Sequence, residues 1–162
     1  MRDFCFGRSS AKILVLPAPI TYISRPQNQR NKMTKNDILE KLQQTRQQAL
    51  AKYSGFHVAA LLETTTGEFF NGFNIESSSY GLTICAERVA LFKALTEGHR
   101  TFQRIYILAD GKELCPPCGA CRQVLMDYAP DIEVIMLSET GVEQRMNINQ
   151  LLPLAFRDDR LK

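Results

Sequence analysis

Three cysteines at the starts of two predicted helices constrain the fold of this chain more than any other feature. Cys85-Ala86-Glu87 opens one helical pattern, and Cys118-Gly119-Ala120-Cys121 opens another directly after two prolines. A Cys-x-x-Cys at the start of a helix presents two sulfurs on one side, a spacing suited to one tetrahedral zinc ion. Because two thiolates alone hold zinc poorly, Cys85 is the natural third ligand. Such a site requires the two helix starts to lie close together.

The ligand count favours a catalytic site over a structural one. Three protein ligands leave the fourth zinc position to water, whereas structural sites are closed by four. Glu87, two residues after Cys85, can face such a water, take its proton and later return it. The residues alone leave other interpretations open: a redox pair, part of a structural zinc site, or Cys115 as a rival ligand through its own Cys-x-x-Cys with Cys118. Glu87 alone could equally be a surface acid favoured by a helix dipole.

Hydrophobic periodicity predicts a mixed α/β domain after Met33. The patterns alternate between helical and strand-like periods, and turn residues separate them. This order predicts one layered α/β domain. The predicted elements are a helix from Thr34 that ends before Tyr53, a hairpin of strands 56–62 and 68–75, a helix 85–97, a strand 105–109, a helix 118–128, a strand 134–137, a short strand after Gly141 and a helical turn 149–152.

Composition restricts the partners of this domain. The longest apolar stretch, 13–20, contains two prolines and is shorter than the roughly 18–20 residues of a membrane span, which predicts a soluble protein. Residues 34–162 carry 14 basic and 16 acidic residues, a net charge of −2. A domain that grips polynucleotide is expected to be basic. The charge therefore predicts a small-molecule ligand and neither a nucleic-acid nor a membrane partner.

Residues 1–33 differ in character from the rest of the chain. They hold six basic residues, one acidic residue and three prolines, and they lack a sustained helical or strand period. We interpret them as a poorly ordered extension, as the product of an upstream start with Met33 as the true initiator, or as a transit peptide. The predicted domains are accordingly 1–33 and 34–162.

The chain contains the segments TICAERVA and PCGACRQV, together with YSGFHVAALL, NGFNIESSSYG and LLPLAF. In their order along the chain they resemble the small zinc-dependent cytidine deaminases of free nucleosides, over about residues 34–160. Zinc deaminases share a His-or-Cys-x-Glu signature followed by Pro-Cys-x-x-Cys. Here Cys85 takes the first position, which is similar to the branch with three cysteine ligands.

The resemblance implies a role for each matching residue. Cys85, Cys118 and Cys121 would bind one zinc ion, with Glu87 as the proton carrier. Arg88 would donate hydrogen bonds to the ligand thiolates and offset the net charge of −1 on the zinc site. The implied substrate contacts come from Phe56 against the pyrimidine ring, Asn74 and Glu76 at the ribose 3′-hydroxyl, the Ala86 backbone at the base, and Tyr80 and Phe156 near a neighbouring subunit.

The family resemblance also implies the reaction and the assembly. We expect hydrolytic deamination of cytidine and 2′-deoxycytidine to uridine and 2′-deoxyuridine, in cytoplasmic pyrimidine salvage. The implied fold is a three-layer α/β/α sandwich with a mixed five-stranded sheet, and the implied assembly is a homotetramer with shared active sites. Two rivals remain: a deaminase of another cytosine compound such as blasticidin S, and a non-catalytic zinc or redox module.

Overall fold

The computed structural model describes residues 33–157, which all belong to one unit of the chain. The predicted extension, apart from Met33, lies outside these residues, and so do residues 158–162. Within the described part the elements are α1 (Lys35–Arg46), β1 (Val58–Thr64), β2 (Phe69–Phe73), α2 (Ala86–Thr96), β3 (Phe102–Ala109), α3 (Gly119–Tyr128), β4 (Glu133–Leu137), β5 (Glu143–Asn147) and α4 (Ile148–Leu151), with a 3-10 turn at Tyr80–Leu82.

Helix α1 begins where the sequence predicts and ends earlier. Thr34 caps it through a reciprocal pair of hydrogen bonds with Asp37, an arrangement worth about 1 kcal/mol. The predicted continuation towards Tyr53 is wrong, because the helix ends at Arg46 and Leu50 instead pairs with Ile75 in an isolated β-bridge. Because the Leu50 backbone pairs with a segment distant in sequence, Ala49 and Leu50 lie outside the helix, although their spacing along the sequence continues the helical pattern.

The sheet has five strands within residues 33–157, in the order β2-β1-β3-β4-β5. Strands β3 and β4 are parallel and the other neighbouring pairs are antiparallel, which makes the sheet mixed as the resemblance implies. The predicted hairpin of β1 and β2 is confirmed. Its turn contains Gly67 at a φ of +88°, a left-handed conformation that glycine adopts without steric cost.

Helices cover both faces of this sheet. Alternate residues of β1 show the division: Ala59 and Leu61 pack with α1, whereas Ala60 and Leu62 pack with the core beneath α2 and α3. This alternation follows from the two-residue period of a strand. The architecture is therefore the expected three-layer α/β/α sandwich. Within the described residues no helix is long and apolar enough to cross a membrane.

A close contact between β2 and α2 determines where the site forms. At Gly72 an added Cβ would lie 2.4 Å from the carbonyl oxygen of Ala86 and 2.5 Å from the amide nitrogen of Ala90. Only a residue without a side chain allows this approach of backbone to backbone. The first turn of α2 is thereby held against the strand that ends just before Asn74.

Candidate active site

The three predicted ligand thiols lie together at the starts of α2 and α3. Cys85 is the N-cap of α2 and Cys118 is the N-cap of α3, while Cys121 lies one turn into α3. Their three Sγ atoms all lie within 4.8 Å of one another. The two helix starts that the sequence requires to meet do meet, and each directs the positive end of its dipole at the sulfurs.

The geometry of the cluster fits tetrahedral zinc. Zn–S bonds of about 2.3 Å at the tetrahedral angle place two sulfurs about 3.8 Å apart. The Sγ atoms of Cys85 and Cys118 are 3.8 Å apart. A disulfide would need about 2.05 Å, and all four described cysteines are free thiols. This donor set suits a zinc ion held by three thiolates.

Cys115 does not join the cluster of three thiols. It is half-buried, and burial followed by the charge of Glu87 raises the pKa of its thiol. Its position outside the cluster, and not this raised pKa, separates Cys115 from the candidate ligands. In the metal-free cluster the pKa of Cys85 is instead lowered to about 5 by a hydrogen bond from Cys121. The same hydrogen bond, with burial, raises the pKa of Cys121.

Glu87 is buried beside the sulfurs. Its side chain lies in the first turn of α2 and only 5% of its surface is exposed. Burial, with a smaller effect from the charge of Cys85, raises the pKa of Glu87 to about 7 in the metal-free chain. The interpretation of Glu87 as a solvated surface acid is therefore wrong. A buried carboxyl that titrates near neutral pH is suited to move protons.

Arg88 contacts the thiol cluster from the same turn. Its Nη2 atom lies 3.8 Å from Sγ of Cys85 and donates to the carbonyl oxygen of Thr83 at 3.2 Å. Among the described residues its buried Nε atom has no hydrogen-bond acceptor. Three thiolates around a dication leave one negative charge, and this guanidinium lies where it can offset that charge.

Asn74 and Glu76 follow β2 and lie at the same end of the sheet. Backbone bridges tie Ile75 to Ile84 on one side and to Leu50 on the other, which joins this segment to the residue before Cys85. Asn74 is 8% exposed, and its side chain is already engaged. Its Oδ1 accepts from the Val58 amide at 2.8 Å, and its Nδ2 donates to the Phe56 carbonyl at 2.9 Å. Asn74 therefore supports the start of β1, a contact that the sequence motif does not predict.

The remaining predicted residues differ in exposure. Ala86 is fully buried in the first turn of α2, whereas the side chain of Phe56 is 44% exposed. Tyr80 is 75% exposed and makes an edge contact with the ring of Tyr53, at 5.7 Å between centroids. Phe156 is 59% exposed, and within the described residues neither Tyr80 nor Phe156 belongs to the buried core.

Sequence reasoning missed the residues that attach the C-terminal segment to α3. Arg122 donates to the carbonyl oxygens of Pro117 and Leu151, both at 2.8 Å, and Gln123 donates to the carbonyl oxygen of Phe156 at 2.8 Å. Both residues directly follow the candidate ligand Cys121. The signal was present in the motif PCGACRQV, whose last polar pair has no role in binding zinc.

Comparison with known proteins identifies the family of the site. Residues 32–137 match the family described as the cytidine and deoxycytidylate deaminase zinc-binding region. A cytidine deaminase of Halalkalibacterium halodurans is 44% identical over 125 residues, which cover 76% of this chain and 95% of that protein. The crystal structure of a cytidine deaminase from Burkholderia pseudomallei is 41% identical and covers 76% of this chain and all of its own, with a TM-score of 0.73.

A third relative bears on the choice of substrate. The blasticidin-S deaminase of Bacillus cereus is 31% identical over 108 residues, which cover 62% of this chain and 76% of that protein. The chain is thus similar both to cytidine deaminases and to a deaminase named for another compound.

Proposed function

Since the chain belongs to the family of zinc-binding cytidine and deoxycytidylate deaminases, we propose that it deaminates cytidine and 2′-deoxycytidine as free nucleosides in pyrimidine salvage. The enzyme is a zinc-dependent hydrolase, and cytidine and water give uridine and ammonia. The observation that carries the proposal is the buried carboxyl of Glu87 beside three clustered thiols. A redox module has no need of this carboxyl.

The zinc ion would be held by Cys85, Cys118 and Cys121, and when bound it would supply an acidified water at neutral pH. The chain provides the rest of the chemistry. Glu87 accepts a proton from water and donates it to N3 of the pyrimidine ring. The water oxygen forms a bond to C4, and Glu87 then takes the second proton of that oxygen and gives it to the exocyclic amino group. The bond from C4 to that nitrogen breaks, which releases ammonia and leaves a carbonyl at C4. Arg88 keeps the thiolates ionised and in place.

The sugar subsite is proposed at Asn74 and Glu76. In the described structure one N–H of the Asn74 amide is committed to the Phe56 carbonyl, which leaves the second N–H available. A ribose 3′-hydroxyl could accept from that N–H and donate to Glu76. The aromatic ring of Phe56, at the start of β1, would lie against the base.

The proposed assembly is a homotetramer in the cytoplasm, with Tyr80 and Phe156 near the site of a neighbouring subunit. Large exposed apolar side chains near the site end of the sheet support an interface, among them Tyr80, Leu82 and Phe156. The four cysteines in residues 33–157 are free, which supports a reducing compartment.

Absorbance assays with cytidine, 2′-deoxycytidine, cytosine and blasticidin S test the proposal. We expect turnover of the first two by the zinc-loaded enzyme, with activity lost on chelation and restored by zinc. Turnover of blasticidin S alone would show that this compound, and not the two nucleosides, is the substrate. Turnover of none of the four compounds, with a reversible Cys118–Cys121 disulfide, would support the redox module instead.

A further inference from the structure

A turn of the chain before β1 surrounds the carboxylate of Glu76. The backbone amides of Tyr53 and Ser54 donate to Oε2 of Glu76 at 2.7 and 3.1 Å, and the Ser54 hydroxyl donates to Oε1. These three hydrogen bonds, the hydroxyl first, hold the pKa of the Glu76 carboxyl below its ordinary value. Glu76 therefore presents a charged and oriented carboxylate at neutral pH.

The same serine hydroxyl also contacts the segment that carries the proposed base-binding ring. Oγ of Ser54 accepts a hydrogen bond from the Phe56 amide at 3.0 Å while it donates to Glu76. A hydroxyl has one donor and two acceptor positions, so both bonds can exist at once. One side chain thus connects the proposed sugar ligand to the proposed base ligand.

We propose that Ser54 is a positioning residue for nucleoside recognition, which holds Glu76 and Phe56 at the spacing that one nucleoside requires. The inference rests on the proposed function, because it assigns the sugar to Glu76 and the base to Phe56. Ser54 itself is not assigned a contact with substrate. Ser54 acts on substrate recognition through the orientation of the Glu76 carboxylate.

The number of acceptor positions on Glu76 gives this role a consequence for specificity. A carboxylate offers about four lone-pair positions. Donors of the described chain occupy three of them, two on Oε2 and one on Oε1. One position on Oε1 remains, which suffices for one sugar hydroxyl. Ser54 therefore selects which oxygen and which lone pair face the sugar.

A purely structural role for Ser54 makes a different prediction. The bond from the Phe56 amide to Oγ is a serine turn, and such turns shape loops without any ligand. Loss of the turn alone would weaken turnover of every substrate by the same factor. Loss of the carboxylate orientation would weaken only substrates that carry the hydroxyl that Glu76 binds.

The experiment compares cytidine with 3′-deoxycytidine in the zinc-loaded enzyme and in Ser54→Ala. We expect the wild type to prefer cytidine. In Ser54→Ala the ratio of kcat/KM for cytidine to that for 3′-deoxycytidine should fall by roughly 10-fold or more, the range for hydrogen bonds to charged groups. Ser54→Thr, which keeps the hydroxyl, should restore the ratio to within about twofold of the wild type, a factor well below that range.

Two further variants keep the test decisive. Ser54→Cys preserves side-chain size with a weak donor, and it should lower the ratio even if Ser54→Ala does not fold. Thr101→Ala, which removes the hydroxyl partner of Thr65 at the far end of β1, should leave the ratio unchanged. In a Glu76→Gln background Ser54→Ala should have little further effect, because the two residues act as a unit.

The outcomes separate the two proposals. An unchanged ratio in Ser54→Ala and Ser54→Cys, with cytidine still turned over, would overturn the positioning role and leave the proposed function intact. A wild type that turns over neither nucleoside would overturn the proposed function, and the Ser54 proposal with it.

Discussion

Among the described residues Glu87 is the one buried acid, and burial raises its pKa to about 7. Glu87→Gln keeps the shape and removes the proton carrier, so the variant should bind zinc and lose nearly all turnover. Proton transfer alone contributes about 10²–10⁴-fold to a rate. Steady-state kinetics together with metal analysis check this. Glu40→Gln on the exposed face of α1 is the matched control and should keep full activity. A Glu87→Gln variant with a tenth of wild-type activity would contradict the assignment.

We expect three of the four described cysteines to bind zinc, and the fourth, Cys115, not to bind it. Replacement of Cys85, Cys118 or Cys121 by alanine should release zinc and lower the melting temperature, because the bound metal stabilises the fold. Cys115→Ala should keep its zinc, since this thiol lies outside the cluster of three. Metal analysis of the four purified variants checks the division. Zinc lost from Cys115→Ala and retained in Cys118→Ala would reverse it.

For single residues, the deaminase motif predicts the candidate catalytic and metal-binding residues better than the residues that position them. Cys85, Glu87 and Cys121 leave several interpretations open one by one, but their order within a longer motif indicates them as candidates. The role of Ser54 depends on a turn that brings it to Glu76, 22 positions later. No local pattern encodes that contact, because it follows from the bridge between Leu50 and Ile75.

At the scale of secondary-structure elements, the close contact between β2 and α2 should not tolerate a side chain at position 72. In Gly72→Ala the new Cβ would meet backbone atoms at 2.4 and 2.5 Å, and backbone cannot rotate away. Overpacking of this kind costs about 1–3 kcal/mol or more of unfolding free energy. Chemical denaturation checks the loss, with Gly81→Ala as a control that meets nothing within 4 Å. Equal stability of the two variants would show that β2 and α2 approach less closely.

The elements themselves were predictable where a local signal marks their ends. Thr34 with Asp37 marks the start of α1, and Gly67 marks the hairpin turn. The end of α1 was not predictable, because apolar residues after Arg46 continue a helical spacing by chance. Their backbone instead pairs with Ile75, which is distant in sequence. The end of α1 is therefore determined by pairing with a segment that is distant in sequence.

For the whole molecule, the proposed sharing of sites between subunits predicts complementation. Phe156→Ala retains Glu87, and Glu87→Gln retains Phe156. If a site takes these two groups from different chains, co-refolding of the two variants should form some sites with both. Activity should then exceed the sum of the separate preparations.

The same mixture also has a clear negative outcome. If each chain builds its site alone, no mixed assembly regains both groups and the activity of the mixture equals the sum. Each variant refolded by itself is the matched control. Phe156 is suited to this test because 59% of its surface is exposed and its backbone is held by Gln123.

The two helix starts that carry the thiols also have a topological consequence. Cys85 and Cys118 are 33 positions apart, and the chain between them contains α2 and the whole of β3. An ion held by both ends turns this stretch into a closed ring through the middle of the sheet. An unfolded chain would have to close this ring to hold the ion, at an entropic cost that grows only logarithmically with ring size, so it binds the ion more weakly than the folded chain does. The zinc ion would thus act as a removable cross-link, and resistance to heat should follow the logarithm of the free zinc concentration.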